Sequence, residues 1–273
     1  MLLAVPNVSE GRDVAALEAI GAAFGPGLLH VSHDPDHHRA VFTIKGAPGE
    51  LADHVLAGAR AAVARIDLAR HEGAHPRVGA VDVAPIVYLE PAQRGAAVAE
   101  ALVLADRLAH ELQLPVFLYG ALAGGRTRAE LRRGGPEALQ RRIESGELAP
   151  DAGPRRLHPT AGAVLVAARP PLAAFNLELA APLETARRIA AAIREGGAEG
   201  LPGVRALGLH LPRQGIVQVS TNIEDLTRTT PAEVVRAVQR HATVTGAELI
   251  APAPENAFAD FPADIPLRGA SLL

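Results

Sequence analysis

The feature that most constrains this chain is an order of elements met twice: strand, helix, two strands, helix, strand. In the first half, apolar runs at 2–5, 28–32, 40–44 and 80–87 read as strands, and Ala-rich helical patterns fill 14–24 and 49–64. The polar stretch His33-Asp34-Pro35-Asp36-His37-His38-Arg39 suits the hairpin between the second and third strands. A third helix carries Val98, Leu102, Ala105, Leu108 and Leu112 at helical spacing, with Glu100, Arg107 and Glu111 off that stripe. A strand at 116–119, an Arg-rich helical or irregular segment at 124–148 and a strand at 163–168 complete the half.

After Arg169-Pro170-Pro171 the order repeats. Strands are expected at 172–179, 204–209, 216–220 and 248–250, with one helix facing inward through Ala186, Ile189, Ala190 and Ile193. Thr230, Pro231 and Glu233 form a capping box with proline in the first turn, which fixes the start of the second helix. Two split β-α-β units predict an α/β (α+β) chain of two ferredoxin-like βαββαβ subdomains, 1–170 and 171–273. A ligand cleft is expected between them.

Composition narrows the chemistry. The chain has no cysteine, which removes disulfides, thiolate nucleophiles and Cys-ligated zinc. Aromatic residues are 3% of the total and tryptophan is absent, so Ala, Leu, Val and Ile must build the core. A formal net charge of −3, without a basic stripe, argues against nucleic acid as a partner. No secretory pattern opens the chain and no uncharged apolar run reaches membrane-spanning length, so the expected location is the cytoplasm, with no membrane partner.

Four loops concentrate reactive side chains. His71-Glu72-Gly73-Ala74-His75 has the letters of a zinc-protease helix, but Gly73 and the following Pro76 oppose a helix there. In a broken connection, His75 could serve as base and acid near neutral pH and Arg77 could orient a carboxylate; on local grounds alone a polar loop whose His caps a backbone group is the favoured reading. The 33–39 loop reads as a solvated hairpin, a ligand-contacting loop or, with its three His and two Asp, a metal site. Val5-Pro6-Asn7-Val8-Ser9-Glu10-Gly11-Arg12 could present backbone N–H groups to an anion, or Ser9 could cap the helix that follows. The stretch from Asp151 to Ala163, with Arg155, Arg156, His158 and Thr160, could meet an anion or face solvent.

Together these segments resemble the formiminotransferase N-terminal family over nearly the whole chain. The resemblance is carried by VPNVSEGR (5–12), His38 to Val41 with Gly46, GAHPRVGAVDV (73–83), VFLYG (116–120), Asp151 to Pro154 with Pro159 to Ala163, AFNL (174–177) and VQVSTN (217–222). It implies transfer of a formimino group from formiminoglutamate to N5 of tetrahydrofolate, a co-substrate, with His75 as the catalytic proton shuttle and no metal. It further implies substrate contacts from Asn7, Glu10, Asp34, His38, Arg39, Arg77, Tyr119, Gly153, Thr160, Gly162, Arg169 and Asn176, with the three Arg suited to carboxylates and the Arg-rich segment to a polyglutamate tail. A homodimer is expected on the same basis. Cyclisation of the product is expected from a separate cyclodeaminase. Ala74 and Ala121 stand where family members carry Glu, which leaves open a folate-binding protein, or a transferase for another folate one-carbon adduct such as 5-formyltetrahydrofolate.

Overall fold

The computed structural model describes residues 1–272 and divides into two compact units, Met1–Pro170 and Pro171–Leu273. The first unit runs β1 (Leu2–Ala4), β2 (Asn7–Val8), α1 (Val14–Ala23), β3 (Leu28–Asp34), β4 (Arg39–Gly46), α2 (Leu51–Val63), β5 (Val81–Tyr88), α3 (Arg94–Glu111), β6 (Val116–Leu118), α4 (Arg128–Arg132), α5 (Gly135–Glu144) and β7 (Val164–Arg169). Among the described residues its sheet has seven strands. Pro6 cannot donate a backbone hydrogen bond, so β1 and β2 are two pieces of one interrupted strand, both lying antiparallel between β4 and β5. With β3 outside β4, the four-strand core has the order fourth-first-third-second that a split β-α-β unit requires, and β7 and β6 extend it in parallel beyond β5.

The second unit runs β8 (Ala173–Leu179), α6 (Leu183–Ile193), β9 (Val204–Leu211), β10 (Ile216–Ile223), α7 (Pro231–Gln239), β11 (Val244–Leu249) and β12 (Leu267–Gly269). Its sheet order, β12-β11-β8-β10-β9, repeats the same four-strand core with one parallel strand added to β11. The expected pair of ferredoxin-like α/β subdomains is therefore what the chain forms. Thr230 caps α7 by the reciprocal bonds with Glu233 expected of it. The last core strand begins four residues earlier than the apolar run at 248–250 suggests. The register shift between Val244 and Gly246 explains this, because it breaks the alternation that marks a strand.

In the first unit, Ala40, Phe42 and Ile44 of β4 point into a core shared with α1, α2 and α3, where Phe24 meets Phe42 with ring centroids 5.0 Å apart. Strand alternation sends Arg39 to the opposite face. There, α4 and α5 place Leu131, Leu139 and Ile143 over Val78, Val83, Phe117 and Tyr119 as a second apolar cluster. α3 corrects the face read from sequence. Ala97, Ala101, Leu104, Ala105 and Leu108 are buried, whereas Leu102 is exposed and Glu100 is buried. Glu100 turns inward because its carboxylate accepts from the N–H groups of Gly49 at 2.7 Å and Ala52 at 2.6 Å, capping the N-terminus of α2 from a neighbouring helix. No helix among the described residues is long and apolar enough to cross a membrane.

Candidate active site

Three loops of the first unit converge beside the β2–β4 pair: the turn before α1, the β3–β4 hairpin and the connection leading to β5. Their approach is close. A Cβ on Gly11 would lie 2.2 Å from the Asp34 carbonyl oxygen, and one on Gly73 would lie 2.5 Å from that of His37. Glycine is needed at both contacts because any side chain would force the loops apart.

Each loop is held by its own polar groups. Glu10 accepts from the N–H groups of Gly11 (2.8 Å), Arg12 (2.7 Å) and Asp13 (3.0 Å). The backbone donors that the sequence offered to an anion thus meet the Glu10 carboxylate, and Asp13, not Ser9, caps α1. Ser9 instead donates to the Gly79 carbonyl at 2.7 Å, which ties this turn to the start of β5. Burial opposes ionisation of Glu10, but those three N–H groups and His38 outweigh it and hold the carboxyl below its usual range. In the hairpin, Asp34 accepts from the N–H groups of Asp36 and His37 at 2.8 and 2.7 Å. Arg77 donates to the carbonyls of His71 and Gly73, bracing the third loop from inside.

The histidines pair across the loops. His38 donates to the Glu72 carbonyl through Nδ1 at 2.8 Å and meets Glu10 through Nε2 at 3.1 Å. Its ring stacks on His71 at 4.0 Å. The segment around His71 and His75 is irregular rather than helical, so the two rings do not share a helix face as the zinc-protease pattern demands. His71 donates from Nε2 to the His38 carbonyl, its Nδ1 is buried without a partner, and burial pushes its pKa down to about 4.

His75 sits in a cationic neighbourhood. Its Nδ1 donates to the Pro76 carbonyl at 2.7 Å, which leaves the lone pair on Nε2. His37 stacks beside it with ring centroids 6.0 Å apart. Burial, then Arg39, Arg132 and His37, push the His75 pKa well below that of a free imidazole, so the ring is neutral at pH 7.

Beneath His75 lies the charge centre of the site. Asp82 is fully buried, and its Oδ2 accepts from Arg39 Nη1 at 2.7 Å and from Arg132 Nη2, while Oδ1 accepts from the Val78 N–H at 2.9 Å. Asn7 accepts from Nε and Nη2 of Arg39 at 3.1 and 2.8 Å and donates to the Val5 carbonyl. Desolvation raises the Asp82 pKa, but the two guanidiniums outweigh it and keep the group ionised. Burial lowers Arg39 to about 10, which leaves it charged.

Of the residues expected from sequence, Asn7, Glu10, Asp34, His38, Arg39, His75 and Arg77 are brought together here. Gly162 backs the same region, its Cα facing the Val78 carbonyl, and Thr160 accepts through its carbonyl from Leu68. Tyr119 is buried under Arg128, which lies 5.8 Å from its ring. Gly153 packs on the Leu114 carbonyl at the start of β6. Arg169 pairs with Val87, five residues along the strand from Asp82, or roughly 16 Å, and its Nη1 donates to Pro170. Asn176 is buried on β8 of the second unit. Asp82 was not expected as a site residue, whereas Arg128 and Arg132 were expected only as part of the Arg-rich segment suited to a polyglutamate tail and His37 only as part of the 33–39 loop. Asp82 had a legible signal, a lone acid in an otherwise apolar strand, which burial obliges to find a cation. Arg132 had none among its many neighbouring arginines.

Comparison with known proteins gives one picture. The family model described as "Formiminotransferase domain, N-terminal subdomain" matches residues 1–169, and "Formiminotransferase domain" matches 174–263. The chain is 38% identical to formimidoyltransferase-cyclodeaminase of Sus scrofa over 94% of its own length and 50% of that protein. It thus spans about half the length of the curated animal relatives it matches. Identity to glutamate formimidoyltransferase of Streptococcus pyogenes serotype M1 is 35%, over 94% of this chain and 90% of the relative. For the Thermoplasma acidophilum glutamate formimidoyltransferase the figures are 33%, 94% and 89%.

Proposed function

The chain belongs to the formiminotransferase domain family, and from that premise we propose that it is a glutamate formimidoyltransferase, moving the formimino group of N-formimino-L-glutamate to N5 of tetrahydrofolate. The single observation that carries the catalytic reading is the state of His75: neutral, oriented through Nδ1 by the Pro76 carbonyl, with its Nε2 lone pair available.

In this reading N5 attacks the formimino carbon, and a bond from N5 to that carbon forms while the carbon's double bond to nitrogen opens. His75 Nε2 takes the proton from N5. As the tetrahedral intermediate collapses, the electron pair left on the imino nitrogen re-forms the double bond to the carbon, the bond between the carbon and the glutamate nitrogen breaks, and the same proton passes from His75 to the departing amine. The depressed basicity of His75 makes its protonated form a strong enough acid for that second transfer. Arg39 remains the candidate for a substrate carboxylate. Arg77, largely engaged with its own loop, acts by keeping His75 in place.

The test is formation of 5-formiminotetrahydrofolate from formiminoglutamate and tetrahydrofolate by the purified chain, followed by absorbance. Product formation at enzyme-like turnover supports the reading. Tight tetrahydrofolate binding with no transfer from formiminoglutamate would contradict it, and 5-formyltetrahydrofolate would then be the next folate adduct to try.

A further inference from the structure

The His38 side chain bonds to both of the loops that meet its own hairpin. Its Nδ1 lies 2.8 Å from the Glu72 carbonyl oxygen and its Nε2 lies 3.1 Å from Glu10 Oε1. A carbonyl oxygen only accepts, and so does the Glu10 carboxylate, which its backbone N–H partners hold in the ionised form. A neutral imidazole has one N–H to offer, so it satisfies one contact and turns a lone pair on the other. Only the imidazolium donates to both. The His38 backbone is committed to the same place. Its φ is +50°, a left-handed conformation uncommon outside glycine, and its carbonyl accepts from His71 Nε2 at 2.8 Å. Its ring lies on that of His71, 14° from parallel. Burial pushes His71 down to about 4, so at neutral pH that stack holds one charge and not two.

We infer that His38 is a positioning residue rather than a substrate contact: as an imidazolium it clasps the turn before α1 and the 71–77 connection to the hairpin between them, and so holds His75 in its working place. The inference deepens the proposed function by naming a control of the same site, and rests on that reading only for the rates it predicts. The path to His75 is short. Three successive residues just before it are fixed to the hairpin: the Glu72 carbonyl on His38, Gly73 against the His37 carbonyl, and the Ala74 N–H on the Asp36 carbonyl at 3.0 Å. Loss of one proton from His38 to solvent releases one side of the clasp. If it leaves Nε2, a lone pair faces the Glu10 carboxylate and repels the turn before α1. If it leaves Nδ1, a lone pair faces the Glu72 carbonyl and the connection loosens three residues before His75. The charged and titratable groups around the ring are Glu10 from the turn before α1, and His71 and Arg77 from the connection. Asp34, Asp36, His37 and Arg39 belong to the hairpin itself. The clasp is thus held while His38 keeps both protons and opens as rising pH removes one.

The experiment measures kcat and both KM values of the full chain across about pH 6–9, together with nitrogen NMR of its histidine rings. Two variants are compared. His38→Asn removes the ring but keeps a residue that accepts the left-handed backbone. Glu10→Gln leaves an amide oxygen for the backbone N–H groups but no charge for His38. At the acid end His38→Asn should be about tenfold or more slower in kcat with both KM values unchanged, since displacements of about 1 Å can cost about a hundredfold in rate. Wild type should lose rate as pH rises and converge on His38→Asn, and Glu10→Gln should move that loss to lower pH. A rate gap that is the same at every pH, a loss confined to KM, or an unmoved limb in Glu10→Gln would overturn the clasp. The NMR reads it without turnover: His38 should hold protons on both nitrogens at the acid end, and the His75 signal should shift as His38 gives one up. Those signals in a chain that transfers nothing would uphold the clasp and sink the proposed function. A His38 ring with one proton across the whole range would overturn the clasp whatever the activity.

Discussion

Arg39 Nη1 donates to Asp82 Oδ2 at 2.7 Å with neither side chain open to solvent, so the pair behaves as a buried ion pair rather than a surface one. Breaking a buried pair by removing one partner leaves an uncompensated charge, which costs about 3–5 kcal/mol. Asp82→Ala leaves Arg39 and Arg132 facing each other and should lower the stability of the first unit by that amount in urea unfolding. Loss below about 1 kcal/mol would show that the cluster is hydrated or rearranges freely.

Glu100 offers a stability prediction remote from the site. Its carboxylate holds two N–H groups at the start of α2, and losing a side-chain cap at a helix N-terminus costs about 0.5–2 kcal/mol. Glu100→Ala should destabilise the chain by about 2 kcal/mol with donor and folate kinetics unaltered. A variant with full stability would mean that water replaces the cap without cost.

The sequence made the architecture largely readable, because alternation and caps operate locally. Thr230 with Glu233 announced α7, and the hairpin at 33–39 joined β3 to β4 as its Asp and Pro suggested. What escaped were contacts between distant segments. The buried face of α3 depends on Glu100 reaching α2, about fifty residues away, and no helical periodicity encodes that. At the site, the loop residues were legible from their motifs, but Arg132 joins it only through the approach of α4 to β5.

His71 makes a pH prediction. Its folded pKa is about 4 against the ordinary value of 6.5, so between those values the unfolded chain binds a proton that the folded chain refuses. Stability should therefore fall as pH drops from 6.5 toward 4, by up to roughly 3 kcal/mol from this residue, and the loss should be complete below that window. Chemical denaturation of wild type and His71→Phe across pH 4–7 checks it, with a flatter profile expected for the variant. Parallel profiles would remove His71 from the account.

Gly11 tests the convergence of the loops. An added methyl meets the Asp34 carbonyl oxygen at 2.2 Å and the Arg39 nitrogen at 2.6 Å, both backbone atoms that cannot rotate away. Gly11→Ala should shift the hairpin and reduce kcat/KM at least tenfold, since displacements of about 1 Å can cost about a hundredfold in rate. Wild-type kinetics in this variant would show that the hairpin does not position substrate.

The most direct test of the central claim is the His75→Ala chain, measured for both tetrahydrofolate binding and formimino transfer. A proton shuttle of this kind contributes about 10²–10⁴ in rate. The account predicts a fall in kcat within that range with the affinity for tetrahydrofolate essentially intact. A variant that keeps near-normal turnover, or one that loses folate affinity and turnover in equal measure, would contradict the role given to His75.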